Sequence, residues 1–70
     1  MAEARFYDQE TEDCMFLFFD NLSEKDQRHY AAVEAKKLGH GGITYISQLF
    51  DISVRTISRG LEELVVKKKS

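Results

Sequence analysis

The chain has 70 residues and a mass of 8.1 kDa, and 43% of its residues are hydrophobic and 31% charged, which is the balance of a globular protein. This length allows one small domain and excludes the large barrels and doubly wound sheets that house many enzyme active sites. The single cysteine excludes an intramolecular disulfide and a cysteine-rich zinc site. The longest apolar run, residues 14–19, is far shorter than the ~20 residues that span a bilayer, so we expect a cytoplasmic protein that does not enter membranes.

Charge is unevenly distributed along the chain. The net charge is −2, but residues 1–26 hold eight acidic and two basic residues, whereas residues 27–70 hold eight basic and four acidic residues. The first part therefore carries −6 and the second +4. A basic region points to nucleic acid or another polyanion, although a basic helix face can also serve only to keep a chain solvated.

The N-terminal segment, residues 1–21, is acidic and aromatic. Its apolar run is too short for periodicity to distinguish a helix from a strand, but no other stretch offers a pairing strand, which favours a helix over residues 8–19. We expect its aromatic side chains to cover the core of the later helices. If they do not, residues 14–19 form an exposed, aggregation-prone patch or a homo-oligomer contact.

The segment 23–39 carries the strongest helix signals. Ser23 is a favourable N-cap, acidic residues occupy the first turn, lysines occupy the last turn, and Gly39 supplies a C-terminal stop. A stripe at three- and four-residue steps predicts a buried face whose alanines let another helix approach closely; it consists of Tyr30, Ala31, Ala35 and Leu38. Three glycines within residues 39–42 then predict a tight loop.

Two shorter helices are predicted after this loop. Their apolar residues recur at helical spacing and are Ile43, Ile46, Leu49 and Phe50, then Ile57, Leu61, Leu64 and Val65. We expect Thr44 to cap the first helix, Asp51 to adopt a left-handed turn conformation and Ser53 to cap the second helix.

Two short helices joined by about three residues are typical of a helix-turn-helix. The sequence therefore predicts a small all-α domain of three to four helices that contains a helix-turn-helix over residues 22–66. A basic tail, residues 67–70, follows this domain.

The last predicted helix, from Val54 to about Val65, separates an apolar face from a polar one. An arginine-bearing helix of this kind can enter the major groove of DNA, where arginine contacts guanine and Ser or Thr contacts either donors or acceptors. Arg55, Thr56 and Arg59 are the main candidates for base contacts. The alternative is a solvated face in which Arg59 pairs with Glu62 or Glu63.

Phosphate contacts are expected from the N-terminal backbone of the preceding helix, from Thr44 and Tyr45, and from His40 or Lys37 beside the glycine loop. The lysines of residues 67–69 either add nonspecific electrostatic affinity or act only as a solubilising tail. The full set of predicted DNA-binding residues is Thr44, Tyr45, Ser53, Val54, Arg55, Thr56, Ser58 and Arg59.

Catalytic and metal-binding patterns are not found in the sequence. His29 and His40 are eleven residues apart, and His29 is expected on the surface of its helix. Cys14 lies in an apolar run that favours an unreactive thiol. We therefore expect no enzyme activity, no cofactor, no metal and no small-molecule substrate.

Residues 22–64 read LSEKDQRHYAAVEAKKLGHGGITYISQLFDISVRTISRGLEEL. This stretch, 43 of the 70 residues, resembles the N-terminal region of bacterial insertion-sequence transposases of the DDE class. The most specific part is the combination of EKDQRHYAAVEAKKLGHGG with ISVRTISRGLEEL, because the second motif alone is similar to many helix-turn-helix regulators.

The resemblance implies a DNA-binding domain that recognises the terminal inverted repeats of the element, followed by an RNase H-like catalytic domain with three metal-binding acids and Mg²⁺. Because the chain ends at Ser70, we expect it to lack that catalytic domain and not to cut or join DNA. It differs from the common helix-turn-helix pattern in having Ser47 where Ala is usual and Asp51 where Gly is usual. A left-handed Asp51 is expected to cost about 1 kcal/mol.

The leading prediction is therefore the DNA-binding head of a transposase, associated with the nucleoid in the cytoplasm. One alternative is a small transcriptional regulator that reaches two half-sites as a dimer. The other is a remnant that is nonfunctional or acts only through association between proteins.

Overall fold

Four helices form the part of the chain that the structure, a computed structural model, describes: residues 6–69, with side chains through residue 66. They are α1 (Gln9–Asp20), α2 (Glu24–Leu38), α3 (Gly42–Phe50) and α4 (Val54–Lys69). Within these residues there is no strand, and the predicted small all-α class is confirmed. Residues 1–5 of the predicted N-terminal segment and Ser70 of the predicted tail lie outside the described residues.

Side-chain caps fix the starts of the first two helices. The Asp8 carboxylate accepts a hydrogen bond from the backbone N–H of Thr11 at 2.9 Å, and Ser23 Oγ accepts one from the N–H of Asp26 at 3.2 Å. Each bond satisfies an N–H that has no partner inside its helix. The helices predicted over 8–19 and 23–39 are thus confirmed to within a residue at each end.

The C-terminal helix is longer than predicted. It was expected to end near Val65, but α4 continues to Lys69, so the predicted boundary between domain and tail falls inside a helix. Neither Gly nor Pro follows Leu64 to stop the helix. Lysine is a good helix former and is favoured near the negative end of the helix dipole.

The core is centred on α2, which packs against both α3 and α4. Its three alanines, Ala31, Ala32 and Ala35, are at most 1% exposed; Ala31 and Ala35 belong to the predicted stripe, and Ala32 was not predicted. Ile46 of α3 and Ile57 of α4 are the large side chains that are completely buried. Small residues on α2 therefore let two other helices bring bulky side chains close to its backbone.

Two glycines allow these close approaches. A Cβ at Gly42 would lie 2.5 Å from the Ala35 carbonyl oxygen, and a Cβ at Gly60 would lie 2.7 Å from the Arg28 carbonyl oxygen. Both distances are shorter than van der Waals contact, so neither position has room for a side chain. The start of α3 and the middle of α4 thus rest directly on the backbone of α2.

Helix α1 contributes to the same core with one face. Met15 and Phe19 are buried, and the Phe19 ring stacks on Phe50 of α3 with centroids 4.2 Å apart and planes 4° from parallel. Gln27 of α2 donates a hydrogen bond from Nε2 to the Phe19 carbonyl at 2.9 Å. Within the described residues α1 contacts α2 and α3 but not α4.

The opposite face of α1 is exposed. Phe16, Leu17 and Phe18 keep 45%, 64% and 55% of their surface exposed. One face of α1 thus covers the core, as predicted, and the other presents apolar surface; a homo-oligomer contact through that surface stays a prediction. Cys14 is also exposed, and the predicted low reactivity of its thiol stays a prediction.

Candidate nucleic-acid interface

The turn between α3 and α4 sets where α4 begins. Asp51 has φ 56° and ψ 48°, which is the predicted left-handed conformation, and the N–H of Ile52 donates to the Ser47 carbonyl at 3.0 Å. Ser53 Oγ then accepts a hydrogen bond from the N–H of Thr56 at 3.1 Å, which confirms its predicted capping role. The turn thus fixes Val54 as the first residue of α4.

The N-terminal half of α4 has one buried and one exposed side. Ile57 is completely buried, whereas Arg55 is exposed and the Arg59 side chain is 72% exposed. Val54 keeps 47% of its surface exposed, and Ser58 is half-buried beside the arginines. This separation of faces agrees with the prediction from the spacing of residues and leaves two guanidinium groups one helical turn apart.

Thr56 and Ser53 form a small polar pair at the start of α4. Their hydroxyl oxygens lie 2.9 Å apart, and either can donate to the other. Thr56 is half-buried, and Ser53 is exposed. Because the hydrogen bond between them uses one of the two hydroxyl protons, one proton is left to donate to a ligand.

A carboxylate near the middle of α4 interacts with several nitrogen-bearing side chains. Glu63 Oε1 accepts hydrogen bonds from Arg28 Nε at 3.0 Å and lies 2.9 Å from His29 Nε2, both on α2. Its other oxygen, Oε2, is 3.6 Å from Arg59 Nε. Hydrogen bonds from His29 and Arg28 lower the pKa of Glu63 below its usual value.

The contacts of Glu63 bear on the predictions for His29 and Arg59. His29 was expected on the surface, but its side chain is only 16% exposed and lies against Glu63, because α4 crosses α2 at this position. Arg59 does have Glu63 as an acidic neighbour, which was the alternative considered for its face of α4. The long Arg59–Glu63 distance and the exposure of Arg59 leave its guanidinium accessible.

The start of α3 differs from the prediction. Thr44 does not cap this helix; α3 begins at Gly42, after Gly41 in a left-handed conformation, and no side chain caps it. The physical reason is the contact of Gly42 with α2, which places the helix start two residues earlier than Thr44. Thr44 is exposed in the first turn, so it remains beside the N-terminal N–H groups of α3.

Tyr45 lies against the N-terminal segment. Its hydroxyl donates a hydrogen bond to the Glu12 carboxylate, and its ring contacts Phe6 edge-on with centroids 5.1 Å apart and Tyr7 at 6.3 Å. A phosphate at this hydroxyl would meet the negative charge of Glu12. Of the predicted phosphate contacts, Tyr45 is therefore the least accessible to an anion.

The two basic candidates beside the glycine loop have different surroundings. His40 is exposed. Lys37 Nζ donates to Glu34 Oε2 at 3.4 Å, and its side chain is still 58% exposed. Glu34 thus partly balances the charge of Lys37, but the Lys37 side chain still reaches solvent.

A buried carboxylate on α2 was missed by the sequence analysis. Glu34 is 8% exposed, and Tyr7 donates a hydrogen bond from its hydroxyl to Glu34 Oε1 at 3.1 Å. Burial, and then the negative charge of Glu34, raise the pKa of Tyr30 to about 12. Burial and the hydrogen bond to Glu34 also raise the pKa of Tyr7. The spacing of Tyr30 and Glu34 on one helix face was the only sequence signal for this group.

Among residues 6–69, no group of three or more His, Cys, Asp or Glu side chains is placed to hold a metal ion. No helix in the same part of the chain is long and apolar enough to cross a bilayer.

Comparisons of the chain with protein families, with curated proteins and with solved structures give no match. The resemblance of residues 22–64 to insertion-sequence transposases therefore stays a prediction.

Proposed function

We propose that α3, the turn at residues 51–53 and α4 act as a helix-turn-helix and that the chain binds double-stranded DNA through the N-terminal half of α4. The observation that carries this proposal is the exposure of Arg55 and Arg59 on the side of α4 opposite the buried Ile57. In this arrangement the arginines enter the major groove and bind guanine edges, with Thr56 and Ser58 beside them.

The phosphate contacts proposed for α3 come from its N-terminal N–H groups and Thr44. The first N–H groups of a helix have no partner within it and carry a partial positive charge, which favours an anion. The N–H of Gly42 already donates to the Gly39 carbonyl at 2.9 Å, and no side chain caps α3, so the N–H groups of Ile43 and Thr44 are the ones proposed for phosphate. Such contacts position the domain on the duplex without reading its sequence.

Within this function, the resemblance of residues 22–64 favours the DNA-binding head of an insertion-sequence transposase, acting at the terminal repeats of the element and associated with the nucleoid in the cytoplasm. A single unit of this size makes few base contacts, so its affinity is mostly electrostatic. A small transcriptional regulator is the second candidate, since it would use the same exposed face of α4.

Fluorescence anisotropy of a labelled duplex over a salt series tests DNA binding. We expect the logarithm of the affinity to fall linearly with the logarithm of the salt concentration, and Arg55→Ala/Arg59→Ala to weaken binding by about tenfold or more at low salt. The matched control is Lys25→Ala/Lys36→Ala, which removes the same charge from two exposed positions on α2.

Equal weakening by the two double variants would mean that only net charge matters and would reject the proposed role of α4. An absence of binding at low salt would reject DNA binding altogether. In that case association between proteins through the exposed face of α1 becomes the better explanation.

A further inference from the structure

The groove between α2 and α4 holds a histidine beside the acidic neighbour of Arg59. The side chains that line it are Lys25, Arg28, His29, Glu62, Glu63 and Val66. His29 Nε2 lies 2.9 Å from Glu63 Oε1, and the same oxygen accepts the hydrogen bond from Arg28. Glu63 is therefore shared between a titratable ring and two arginines, one of which belongs to the proposed DNA-binding face.

The ring of His29 can gain a charge without losing its contact with Glu63. Hydrogen bonds from His29 and Arg28 lower the pKa of Glu63, so this carboxylate is ionised at neutral pH and can only accept. Neutral His29 then donates from Nε2, and a further proton goes to Nδ1. Histidine ordinarily gains this charge between about pH 8 and 5, and the side chain is 16% exposed, so water reaches the ring.

The three contacts of Glu63 are unequal. Arg28 and His29 approach Oε1 at 3.0 and 2.9 Å, and their side chains are 26% and 16% exposed. Arg59 Nε is 3.6 Å from Oε2, and its side chain is 72% exposed. A positive charge on His29 balances the carboxylate from the buried side. The contact with Arg59 is the one that loosens, because an exposed and distant ion pair is the weakest of the three.

The other charged groups around His29 keep their charge in mild acid. Lys25 and Arg28 on α2 and Glu62 on α4 line the same groove, and Asp26 lies three positions before His29 on its own helix. Lysine and arginine stay cationic, and carboxylates stay ionised, between about pH 5.5 and 7.5. His29 is therefore the group in this groove whose charge changes over that range.

We propose that protonation of His29 strengthens DNA binding by drawing Glu63 away from Arg59, a form of regulation that rests on the DNA-binding function proposed above. At neutral and alkaline pH the ring is uncharged and Glu63 holds Arg59 beside it. In mild acid the charged ring balances Glu63, and the Arg59 guanidinium is left for guanine or phosphate. His29 is thus a positioning residue for Arg59 and does not itself touch DNA.

Nuclear magnetic resonance of the free chain tests the coupling between these side chains. We expect the Arg59 Nε–H resonance to shift with the same midpoint as the His29 ring between about pH 5.5 and 7.5. Arg55, exposed one turn earlier on α4, is the internal control and should not follow His29. In Glu63→Gln the Arg59 resonance should cease to follow the ring. A wild-type Arg59 resonance that does not respond to the titration of His29 would overturn the proposal.

Fluorescence anisotropy of a labelled duplex tests the effect on DNA binding. We expect the wild-type affinity to be about threefold higher at about pH 5.5 than at about pH 7.5. His29→Gln keeps a side chain that can donate to Glu63 but cannot titrate, so this pH response should be lost. His40→Gln removes the second histidine of the chain, which is exposed beside the glycine loop, and should retain the response. The α-amino group titrates alike in all these chains and cancels in the comparison.

The outcomes separate this proposal from the proposed function. A pH response that His40→Gln abolishes and His29→Gln retains would assign it to the loop and overturn the proposal. Binding that depends on Arg59 but not on pH would also overturn it, while the DNA-binding function would stand. An absence of DNA binding at both pH values would reject that function and the regulation together. Circular dichroism checks the helices of His29→Gln, and the wild-type resonance titration needs no variant.

Discussion

Arg28 of α2 donates a hydrogen bond from Nε to Oε1 of Glu63 of α4 over 3.0 Å, although the two residues are 35 positions apart in the sequence. His29 and Arg59 approach the same carboxylate from two different helices. Glu63 therefore has two effects: it links α2 to α4, and it places a negative charge beside an arginine of the proposed DNA-binding face. The two effects are separable by experiment.

The first effect depends on pH. The pKa of Glu63 is lower in the folded chain than its ordinary value of 4.5, so its stabilisation is present above pH 4.5 and is lost as the pH falls through the folded pKa. We expect Glu63→Gln to lower the thermal midpoint at neutral pH and the difference from wild type to shrink as the pH falls below about 4. Thermal unfolding followed by circular dichroism over this pH range measures it. A difference that stays constant into acid would contradict the assignment.

The second effect concerns DNA. Glu63→Gln releases Arg59 from its acidic neighbour, and we expect tighter DNA binding, by at most about fivefold, because an exposed ion pair holds its arginine only weakly. Glu62→Gln removes the same charge from an exposed neighbouring position that makes no ion pair with Arg59. Anisotropy titrations of both variants at one salt concentration distinguish the cases. Equal tightening would show a general charge effect and not the release of Arg59.

Alkaline pH reports on the half-buried Tyr30. The pKa of Tyr30 is raised to about 12 in the folded chain from its ordinary value of 10.0, so folding holds a proton that the unfolded chain releases. The stabilisation is complete below pH 10 and is lost as the pH rises towards about 12. Titration of the phenolate absorbance should show a late component that Tyr30→Phe removes. If Tyr30→Phe removes an ordinary component near pH 10 instead, the proposed environment of this ring is wrong.

Gly60 should not tolerate a side chain despite lying inside a helix. Alanine favours a helix by about 1 kcal/mol over glycine, but a Cβ here would lie 2.7 Å from the Arg28 carbonyl oxygen. We expect Gly60→Ala to destabilise the fold by about 1–3 kcal/mol, which is the usual cost of overpacking. Urea unfolding measures this change, with Glu62→Ala as a control that adds alanine to the same helix at an exposed position. A stabilised Gly60→Ala would mean that α4 can move away from α2 at little cost.

Ser53 caps α4 and is also one of the proposed DNA-binding residues. Removing its cap with Ser53→Ala should cost about 1 kcal/mol of unfolding free energy. Ser53→Asp should keep the cap and the stability, because aspartate is an equally favoured N-cap, yet weaken DNA binding through its added negative charge. Urea unfolding and anisotropy on the same samples give both readouts. Unchanged DNA binding by Ser53→Asp would remove Ser53 from the interface.

The parts of the fold that the sequence predicted correctly depend on neighbouring residues. Ser23 and Ser53 cap helices through N–H groups three residues away, and Asp51 turns the chain by its own backbone angles. The stripes of apolar residues at helical spacing predicted which side of α2, α3 and α4 is buried. Such signals lie within one or two helical turns and can be read from a single sequence.

The errors arose where distant residues decide the structure. Thr44 looked like a cap, but the contact of Gly42 with α2 starts α3 earlier. Tyr45 stays a predicted phosphate contact, but its surroundings also depend on a distant residue, since its hydroxyl donates a hydrogen bond to Glu12, 33 positions away. Gly60 inside α4 could have indicated a close helix contact from the sequence. Glycine destabilises an isolated helix, so a glycine in the middle of one suggests that close packing against another helix compensates for that loss.

The small residues around α2 also define how this arrangement can vary during evolution. Backbone meets backbone at Gly42 and Gly60, and the alanines at positions 31, 32 and 35 leave no space for a larger side chain. Substitutions that enlarge any of these five residues require a helix to shift, whereas exposed residues outside the proposed DNA-binding face are not constrained by this packing. Distant relatives should therefore be sought by this spacing of alanine and glycine, which can persist after similarity elsewhere in the chain has been lost.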